Sequence, residues 1–476
     1  MTAKTEYIVF EKQGRVYLSD ILDMTSYDLY QSQLHYSICE NLSKIRSTNL
    51  EEYKFLTNLY SLKSSLTRSA TALTYYIINS ESTLQEINVN KKLLLILDPR
   101  LLVGVKVNIE LSNDPDYVDK SYLLLLLAKS FTHFLFRKFT PKKIPNYLIV
   151  RGWVETTSKM YEKEILDGLI LLYPFALNFK RQFRFVLWCI KNKVRFHFSG
   201  MPYPIWLIIK NLFSGIEFDI IIMHAEMQAN SLHSKEVLAY KPKVIFTSDE
   251  FETGVFILYE KLIPAGVYIV NTAHGVGQYC PNTAYNEFRV LSKTQSDFYS
   301  YRNPETKYVD IKHTGSKIVG IDSYKVSAQK PIAIILIHQP FKEAAYHAEY
   351  SVMQFIDRCL LEYSREKKVM YFVKIHPNFK SSIFQRNNNG FKGEIVKNWS
   401  DLNLYRLIFI TINSTVFFDV KGLAPILVYA GSTFNPSVYF PNPLSKFNET
   451  NLVSKLNQLM NTNSWVEAAR IHAGHE

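Results

Sequence analysis

Residues 370–377, MYFVKIHP, and residues 407–413, LIFITIN, decide how the chain folds. Each begins as a continuous apolar run and ends in polar or turn-forming residues, at His376 and Pro377 in the first and at Asn413 in the second. Continuous apolar runs are typical of parallel strands that helices cover on both faces. We therefore expect two buried parallel strands here, each followed by polar side chains at its carboxyl end.

Similar apolar runs alternate with helical stretches from about residue 145 onward, which predicts βα units and parallel sheets. Further strands are expected in YLIVRGW (147–153), the end of EILDGLILLYPF (164–175), FDIIIMHAE (218–226), KVIFTSDE (243–250), GVYIVNTAHG (266–275), AIILIHQP (333–340) and ILVYAG (426–431). The polar stretch 314–332 has no apolar periodicity and is typical of a linker. The prediction is an α/β chain with two Rossmann-like domains facing a central cleft.

The predicted organisation has four parts: an N-terminal region at 1–140, an acceptor-side domain at 141–313, the linker at 314–332, and a nucleotide-binding domain at 333–476. Apolar residues at helical spacing in 27–45 and 51–66 predict a mainly helical N-terminal region, with a buried strand in LLLILD near Leu93. No motif in this region indicates a role.

Composition narrows the classes of partner and compartment. A length of 476 residues favours more than one domain, and the net charge of +12 implies an anionic partner. The four cysteines are far apart, so we expect free thiols in a reducing compartment rather than disulfides or a zinc site. The first residues lack the apolar core of a signal peptide, and no run approaches the roughly 20 apolar residues of a spanning helix. These features predict a cytoplasmic protein.

The candidate nucleotide-binding residues follow the strands of the C-terminal half, because open α/β sheets bind ligands beyond the carboxyl ends of their strands. An imidazole at His376 can donate a hydrogen bond to a donor phosphate, or it can simply satisfy loop backbone. Ser414 and Thr415 can bind an anion at a helix start, or they can simply cap that helix. The full set is Gln339, Pro340, Lys374, His376, Pro377, Asn413, Ser414, Thr415 and Asp419.

The N-terminal half is expected to supply the acceptor site and the general base. Asp249 or Glu250 can deprotonate an acceptor hydroxyl, although acidic residues at a helix start also stabilise the helix by themselves. The catalytic candidates are Asp249, Glu250, His274 and His376. The residues expected to line the acceptor cleft are Arg151, Glu155, His224, Glu226, Glu252, Gly275 and Gly277.

The order strand-HQP, helix, strand-KIHP, strand-NST, helix, G-x-x-P resembles bacterial capsule and lipopolysaccharide glycosyltransferases of the GT-B type. It is most similar to the CMP-sugar users that transfer sialic acid, Kdo, or pseudaminic and legionaminic acids. The resemblance implies a GT-B-like fold and a metal-independent transferase that has no cofactor. It also implies that His376 contacts the CMP phosphate, while Ser414 and Thr415 bind a phosphate or carboxylate. The expected partners are a nucleotide-sugar donor and a glycan or glycolipid acceptor.

Other readings remain open on the residues alone. His274-Gly275 resembles a turn of teichoic-acid and CDP-glycerol transferases, which favours a CDP-polyol or a UDP-sugar as the donor. The basic, aromatic segment 180–195 predicts either a helix on an anionic membrane, at the inner face of the bacterial inner membrane, or a helix with a solvated basic face. The net charge also suggests a non-enzymatic nucleic-acid-binding protein. However, the basic residues are dispersed and no nucleic-acid-binding motif is present, so no nucleic-acid partner is expected.

Overall fold

The computed structural model contains three β-sheets, two of which are parallel throughout. It describes residues 6–24, 64–97, 99–110, 121–136, 146–150, 161, 164, 169–172, 179–198, 201–212, 218–248, 255–273, 285–300, 304–311, 330–338, 347–375, 393–396, 399–420, 423–431, 436–438 and 440–471. The strands are β1 (Tyr7–Phe10), β2 (Gly14–Tyr17), β3 (Leu84–Asn90), β4 (Lys106–Glu110), β5 (Asn146–Val150), β6 (Leu169–Leu172), β7 (Arg195–Phe198), β8 (Val244–Thr247), β9 (Tyr268–Thr272), β10 (Glu287–Val290), β11 (Lys307–Asp310), β12 (Ile332–Ile337), β13 (Met370–Lys374), β14 (Glu394–Ile395), β15 (Arg406–Thr411), β16 (Ile426–Tyr429) and β17 (Ser445–Phe447). The helices are α1 (Leu18–Met24), α2 (Ser64–Ile78), α3 (Lys91–Ile96), α4 (Ser121–Phe136), α5 (Phe179–Lys191), α6 (Ile205–Leu212), α7 (Phe218–Ala239), α8 (Val255–Leu262), α9 (Lys293–Ser300), α10 (His347–Lys367), α11 (Val416–Val420), α12 (Leu452–Met460) and α13 (Thr462–Ile471).

The C-terminal parallel sheet has the strand order β14-β13-β12-β15-β16-β17. Its central strands β12 and β15 are almost wholly buried, as their continuous apolar sequences predict. From β12, the next strands in the chain, β13 and β14, lie progressively outward on one side of the sheet. From β15, the next strands, β16 and β17, lie progressively outward on the other side. The strand order therefore reverses between β12 and β15, and this reversal is the topological switch point of the sheet.

The preceding parallel sheet has the order β11-β10-β9-β8-β5-β6-β7. Here the strand order reverses between β5 and β8, so these two strands flank a second switch point. Both sheets run parallel and alternate with helices along the chain, which confirms the predicted α/β fold with two Rossmann-like sheets. The sheets span residues 146–310 and 332–447, while the domain boundaries themselves stay a prediction.

The N-terminal region adds a smaller sheet of order β2-β1-β3-β4. Strand β1 pairs antiparallel with β2 and β3, and β3 pairs parallel with β4. Its buried residues, among them Ile8, Leu73 and Ile87, form a hydrophobic cluster separate from that of the large sheets. In its described part, this region therefore combines strands with helices. The helix predicted at 27–45 and most of that at 51–66 lie outside the described residues.

Two predicted strands are helices in the structure. The run at 218–226 begins α7, in which Ile221, Ile222, Ala225 and Ala229 are buried at helical spacing. The run near Leu93 lies in α3 and directly follows β3. A short run of Ile or Leu residues has no hydrophobic periodicity by which a strand could be distinguished from a buried helix. Tertiary packing decides which of the two forms.

The amino end of β15 is anchored by the C-terminal helices. The Trp465 indole of α13 donates a hydrogen bond to the Leu407 carbonyl at 2.8 Å, and the Arg406 guanidinium donates one to the Thr462 hydroxyl at 2.6 Å. Trp465 is buried. The amino end of this strand is thus fixed by structural contacts, whereas its carboxyl end lies at the switch point.

Candidate functional site at the switch points

Three candidate regions of the C-terminal sheet meet at its carboxyl edge. Ile337 of β12 is in register with Lys374 of β13, and Leu336 is in register with Ile410 of β15. The His338 backbone N–H donates a hydrogen bond to the Lys374 carbonyl at 2.9 Å. The strand end that precedes HQP therefore lies between those that precede KIHP and NST, which are separated by β12 and are not adjacent to each other.

Several residues on which the nucleotide prediction depends are outside the part of the chain that the structure describes. His376 and Pro377, and likewise Gln339 and Pro340, lie outside the described residues. Whether His376 approaches residues 414–415 therefore stays a prediction.

Lys374 is the positively charged candidate that the structure does place. Its side chain is half-buried, with the ammonium nitrogen 5.3 Å from the centre of the Trp399 ring. Burial lowers the pKa of Lys374 below the usual lysine value, because desolvation disfavours the charged form. A phosphate bound here would restore a partner for that charge.

Asn413 follows β15 and flanks the switch point. Its side chain is 9% exposed, and its Oδ1 atom has no hydrogen-bond partner. A buried acceptor left unsatisfied costs about 1–3 kcal/mol, so such an atom calls for a ligand donor or another explanation. A sugar hydroxyl or an amino group would satisfy it.

The neighbouring hydroxyls lie at the start of a short helix, where the structure shows the capping contacts that the sequence left open as an alternative. The Ser414 hydroxyl accepts a hydrogen bond from the Val416 N–H at 3.2 Å, and the Ser414 N–H donates to the Thr411 hydroxyl at 3.2 Å. The described part of helix α11 has five residues. Ser414 thus caps a short turn, Thr415 is partly exposed beside it, and Asp419 lies within α11.

A matching feature lies at the carboxyl ends of β8 and β9 in the first parallel sheet. Ser248 is 5% exposed and Thr272 is 2% exposed, and neither hydroxyl has a hydrogen-bond partner. Thr247 and Asn271 are in register, so Ser248 and Thr272 are next to each other on adjacent strands roughly 4.8 Å apart. Ser248 directly follows β8, which flanks the switch point.

These two hydroxyls were not among the predicted site residues, although their neighbours were. Asp249, Glu250, Glu252, His274, Gly275 and Gly277 lie outside the described residues, as do Arg151 and Glu155. The signal that would have found Ser248 and Thr272 is a small hydroxyl residue at the carboxyl end of each of two consecutive apolar strands.

Arg289 of β10 lies opposite Thr272 but is already neutralised. Its guanidinium donates to Glu164 at 3.1 Å and to Glu287 at 3.0 Å, and it lies 5.6 Å from the centre of the Tyr161 ring. The described part of this edge therefore presents neutral hydroxyls beside an ion pair, whereas the C-terminal edge presents Lys374.

His224 and Glu226 do not lie at a strand end, because both are in α7. Glu226 is buried and accepts a hydrogen bond from the Tyr203 hydroxyl at 2.8 Å, an arrangement that ties α7 to the residues before α6. Desolvation lowers the pKa of His224. The strand-end argument for this pair is wrong, because the Ile-rich run before it is helical.

The described residues include neither a reactive thiol nor a metal site. Cys189 is buried and free, and burial raises the pKa of its thiol to about 12, which disfavours the thiolate. Cys359 is also free, and Cys39 and Cys280 lie outside the described residues. Within the described ranges, no three His, Cys, Asp or Glu side chains could hold a metal ion.

The chain has only low similarity to known proteins, in sequence and in structure. No protein-family model matches the chain, and no curated protein is similar to it in sequence. Among solved structures, it is similar to a glycosyltransferase from Rickettsia africae (14% identity, 69% of this chain and 93% of that chain, TM-score 0.39). It is also similar to MurG from Acinetobacter baumannii (7%, 70% and 95%, TM-score 0.40) and to a trehalose 6-phosphate synthase from Burkholderia multivorans (8%, 70% and 92%, TM-score 0.42). Because these TM-scores are low, the fold assignment depends on the strand order itself.

Proposed function

We propose that the protein is a metal-independent glycosyltransferase, with the donor nucleotide at the C-terminal sheet and the acceptor at the first parallel sheet. One observation carries the proposal: in each sheet, a buried polar atom without a hydrogen-bond partner follows a strand that flanks the switch point. These atoms belong to Ser248 and Asn413. Switch points are where open α/β sheets bind ligands, and unpaired buried polar groups are the ones that a ligand stabilises.

The charge difference between the two edges supports the assignment of donor and acceptor. Lys374 supplies a half-buried cation at the C-terminal edge, which suits the phosphate of a nucleotide sugar. Ser248 and Thr272 supply neutral hydroxyls, which suit the hydroxyl groups of a glycan. Arg289 is held by two carboxylates and is not offered to an anion.

In the proposed reaction, an acceptor hydroxyl oxygen forms a bond to the anomeric carbon of the donor sugar while the bond from that carbon to the phosphate oxygen breaks. The proton of the hydroxyl passes to the carboxylate of Asp249 or Glu250, a role that remains a prediction from the sequence. The negative charge that develops on the departing nucleotide is stabilised by Lys374, with His376 as the second predicted donor.

We further propose a CMP-activated acidic sugar as the donor and a bacterial surface glycan or glycolipid as the acceptor. The support for this step is the sequence order HQP, KIHP and NST. We also propose that segment 180–195 contacts an anionic membrane. Most of it forms α5, in which Phe183, Leu187 and Ile190 are 57%, 49% and 60% exposed.

A nucleotide panel tests the donor assignment. CMP should raise the melting temperature of the full chain, CDP and UDP should raise it less, and a random oligonucleotide of equal charge should have no effect. Stabilisation by CDP or UDP alone would retain the transferase and reject the CMP-sugar. If no nucleotide stabilises the protein or protects it from proteolysis, the donor site and the transferase proposal are both wrong.

A further inference from the structure

Helix α4 carries its most exposed side chains on an apolar face. Leu124, Leu127, Phe131 and Phe134 are 68%, 37%, 62% and 56% exposed. Their spacing of three, four and three residues places them along one side of the helix. The opposite side packs inward, since Leu126 is buried and His133 hydrogen-bonds to Glu236 of α7 at 3.0 Å. A soluble helix normally has the reverse pattern, with polar residues facing outward.

Helix α6, whose preceding residues contact α4, also exposes apolar side chains. Trp206 and Ile209 are 76% and 41% exposed. The Lys129 ammonium of α4 lies 5.8 Å from the centre of the Tyr203 ring, two residues before α6 begins. Both helices also pack against α7, through the His133–Glu236 contact and along α6 itself. Leu124, Leu127, Phe131, Phe134, Trp206 and Ile209 are called the α4–α6 surface below.

The charged residues within α4 and α6 themselves are lysines, while Glu236 of α7 contacts α4 on its inward side. The sequences of α4 and α6 contain Lys129 and Lys210 but no aspartate or glutamate, and the chain as a whole has a net charge of +12. Strand β7 is an edge strand of the first parallel sheet. The basic helix α5 directly precedes β7 in the chain, and α6 follows β7. The basic helix α5 and the exposed apolar residues of α6 therefore lie on either side of this edge strand in the chain.

We propose that the α4–α6 surface docks on an anionic lipid bilayer and inserts its aromatic side chains at the level of the headgroups. Phe and Trp side chains on helices that contain lysine and no acidic residue have the composition of an interfacial helix. Phosphatidylglycerol or a similar lipid complements the positive charge. A second copy of the chain, also at +12, would be repelled electrostatically. This inference does not depend on the catalytic proposal and extends the membrane contact beyond segment 180–195.

Vesicle cosedimentation with the full chain tests the proposal. Wild-type protein should bind vesicles of phosphatidylcholine mixed with phosphatidylglycerol, and binding should weaken with added salt. The triple variant Leu124→Gln, Phe131→Gln, Trp206→Gln should bind roughly tenfold or more weakly, because three apolar side chains no longer leave water. Leu404→Gln is the matched control, since Leu404 is 69% exposed in the C-terminal sheet region, and it should bind like the wild type.

Further variants separate this surface from its alternatives. The triple variant should keep the wild-type melting temperature, because the replaced side chains are mostly exposed. Should Phe183→Gln in α5 abolish vesicle binding while the triple variant binds normally, the contact is at α5 and the proposal is wrong. If the triple variant instead turns a dimer into a monomer in size-exclusion chromatography and still binds vesicles, the surface is a dimer interface and the proposal is equally overturned.

Discussion

The two parallel sheets share a topology but differ in the chemistry at their switch points. The edge of the first sheet presents the hydroxyls of Ser248 and Thr272, beside an arginine held by two carboxylates. The edge of the second presents the Asn413 amide together with the half-buried ammonium of Lys374. The comparison teaches that the strand order fixes where a ligand binds, whereas a few side chains decide which ligand it is.

Removing the charge at Lys374 should have the largest effect on the chemical difference between the two sheet edges. Lys374→Met should lower kcat/KM for sugar transfer roughly 100-fold, because a positive group near the leaving phosphate is lost. It should leave the melting temperature unchanged or raise it, because burial already disfavours the charged lysine. Activity with a panel of donors and calorimetry on the same preparation measure both effects.

The matched control for this variant is Lys307→Met at the first sheet. Lys307 is exposed and pairs with Glu287, so its loss should change neither activity nor stability by much. Equal losses of activity in the two variants would show that overall positive charge matters rather than the site at Lys374, and the assignment of the donor edge would fail.

Asn413 and Ser414 allow a comparison between adjacent residues. Asn413→Ala should lower kcat/KM about tenfold without loss of stability, because the Oδ1 atom has no hydrogen-bond partner within the protein and, in the proposed site, accepts a hydrogen bond from the ligand. Ser414→Ala should do the opposite and lower stability by about 0.5–1 kcal/mol through loss of the cap, while retaining activity. Denaturant unfolding and initial-rate kinetics separate the two effects, and reversed outcomes would exchange the roles of these residues.

The sequence predicted the parallel strands of both sheets more reliably than it predicted the site. The runs before Lys374 and Asn413 are strands in the structure because their continuous apolar character requires burial on both faces. The run at 218–226 did not obey that logic, since its Ile residues are buried on a helix. Strand order is a non-local property that no local pattern encodes, so the positions of Ser248 and Asn413 at switch points had to come from the structure. Chemistry assigned to His376, His274 and Asp249 stays a prediction.

The hydroxyls of the first sheet test whether that edge binds an acceptor. Ser248→Ala and Thr272→Val each remove an unsatisfied buried hydroxyl, so each should raise the free energy of unfolding by about 1 kcal/mol. The same changes should raise the KM for the glycan acceptor several-fold and leave nucleotide affinity unchanged. Ser292→Ala is a control at the neighbouring strand end, where the hydroxyl already accepts a hydrogen bond from the Gln295 N–H. Weaker nucleotide binding in Ser248→Ala would place the donor at this edge instead.

Replacing a group that has hydrogen-bond partners should lower the free energy of unfolding, whereas replacing the unsatisfied hydroxyls should raise it. Glu236 of α7 is such a partnered group. Burial by itself would raise the pKa of Glu236, but hydrogen bonds with His133 and His233 outweigh it and lower the pKa to about 2. A lowered carboxyl pKa stabilises the folded state above the ordinary carboxyl pKa of 4.5, and that contribution is lost as the pH falls from 4.5 toward about 2. Glu236→Gln should therefore reduce stability at neutral pH and flatten the pH dependence of unfolding in that acid window, a modest effect because the side chain is 35% exposed. If Glu236→Gln instead stabilises the protein, as is expected of Ser248→Ala, then the distinction between partnered and unsatisfied groups does not predict which residues of this chain are held for a ligand.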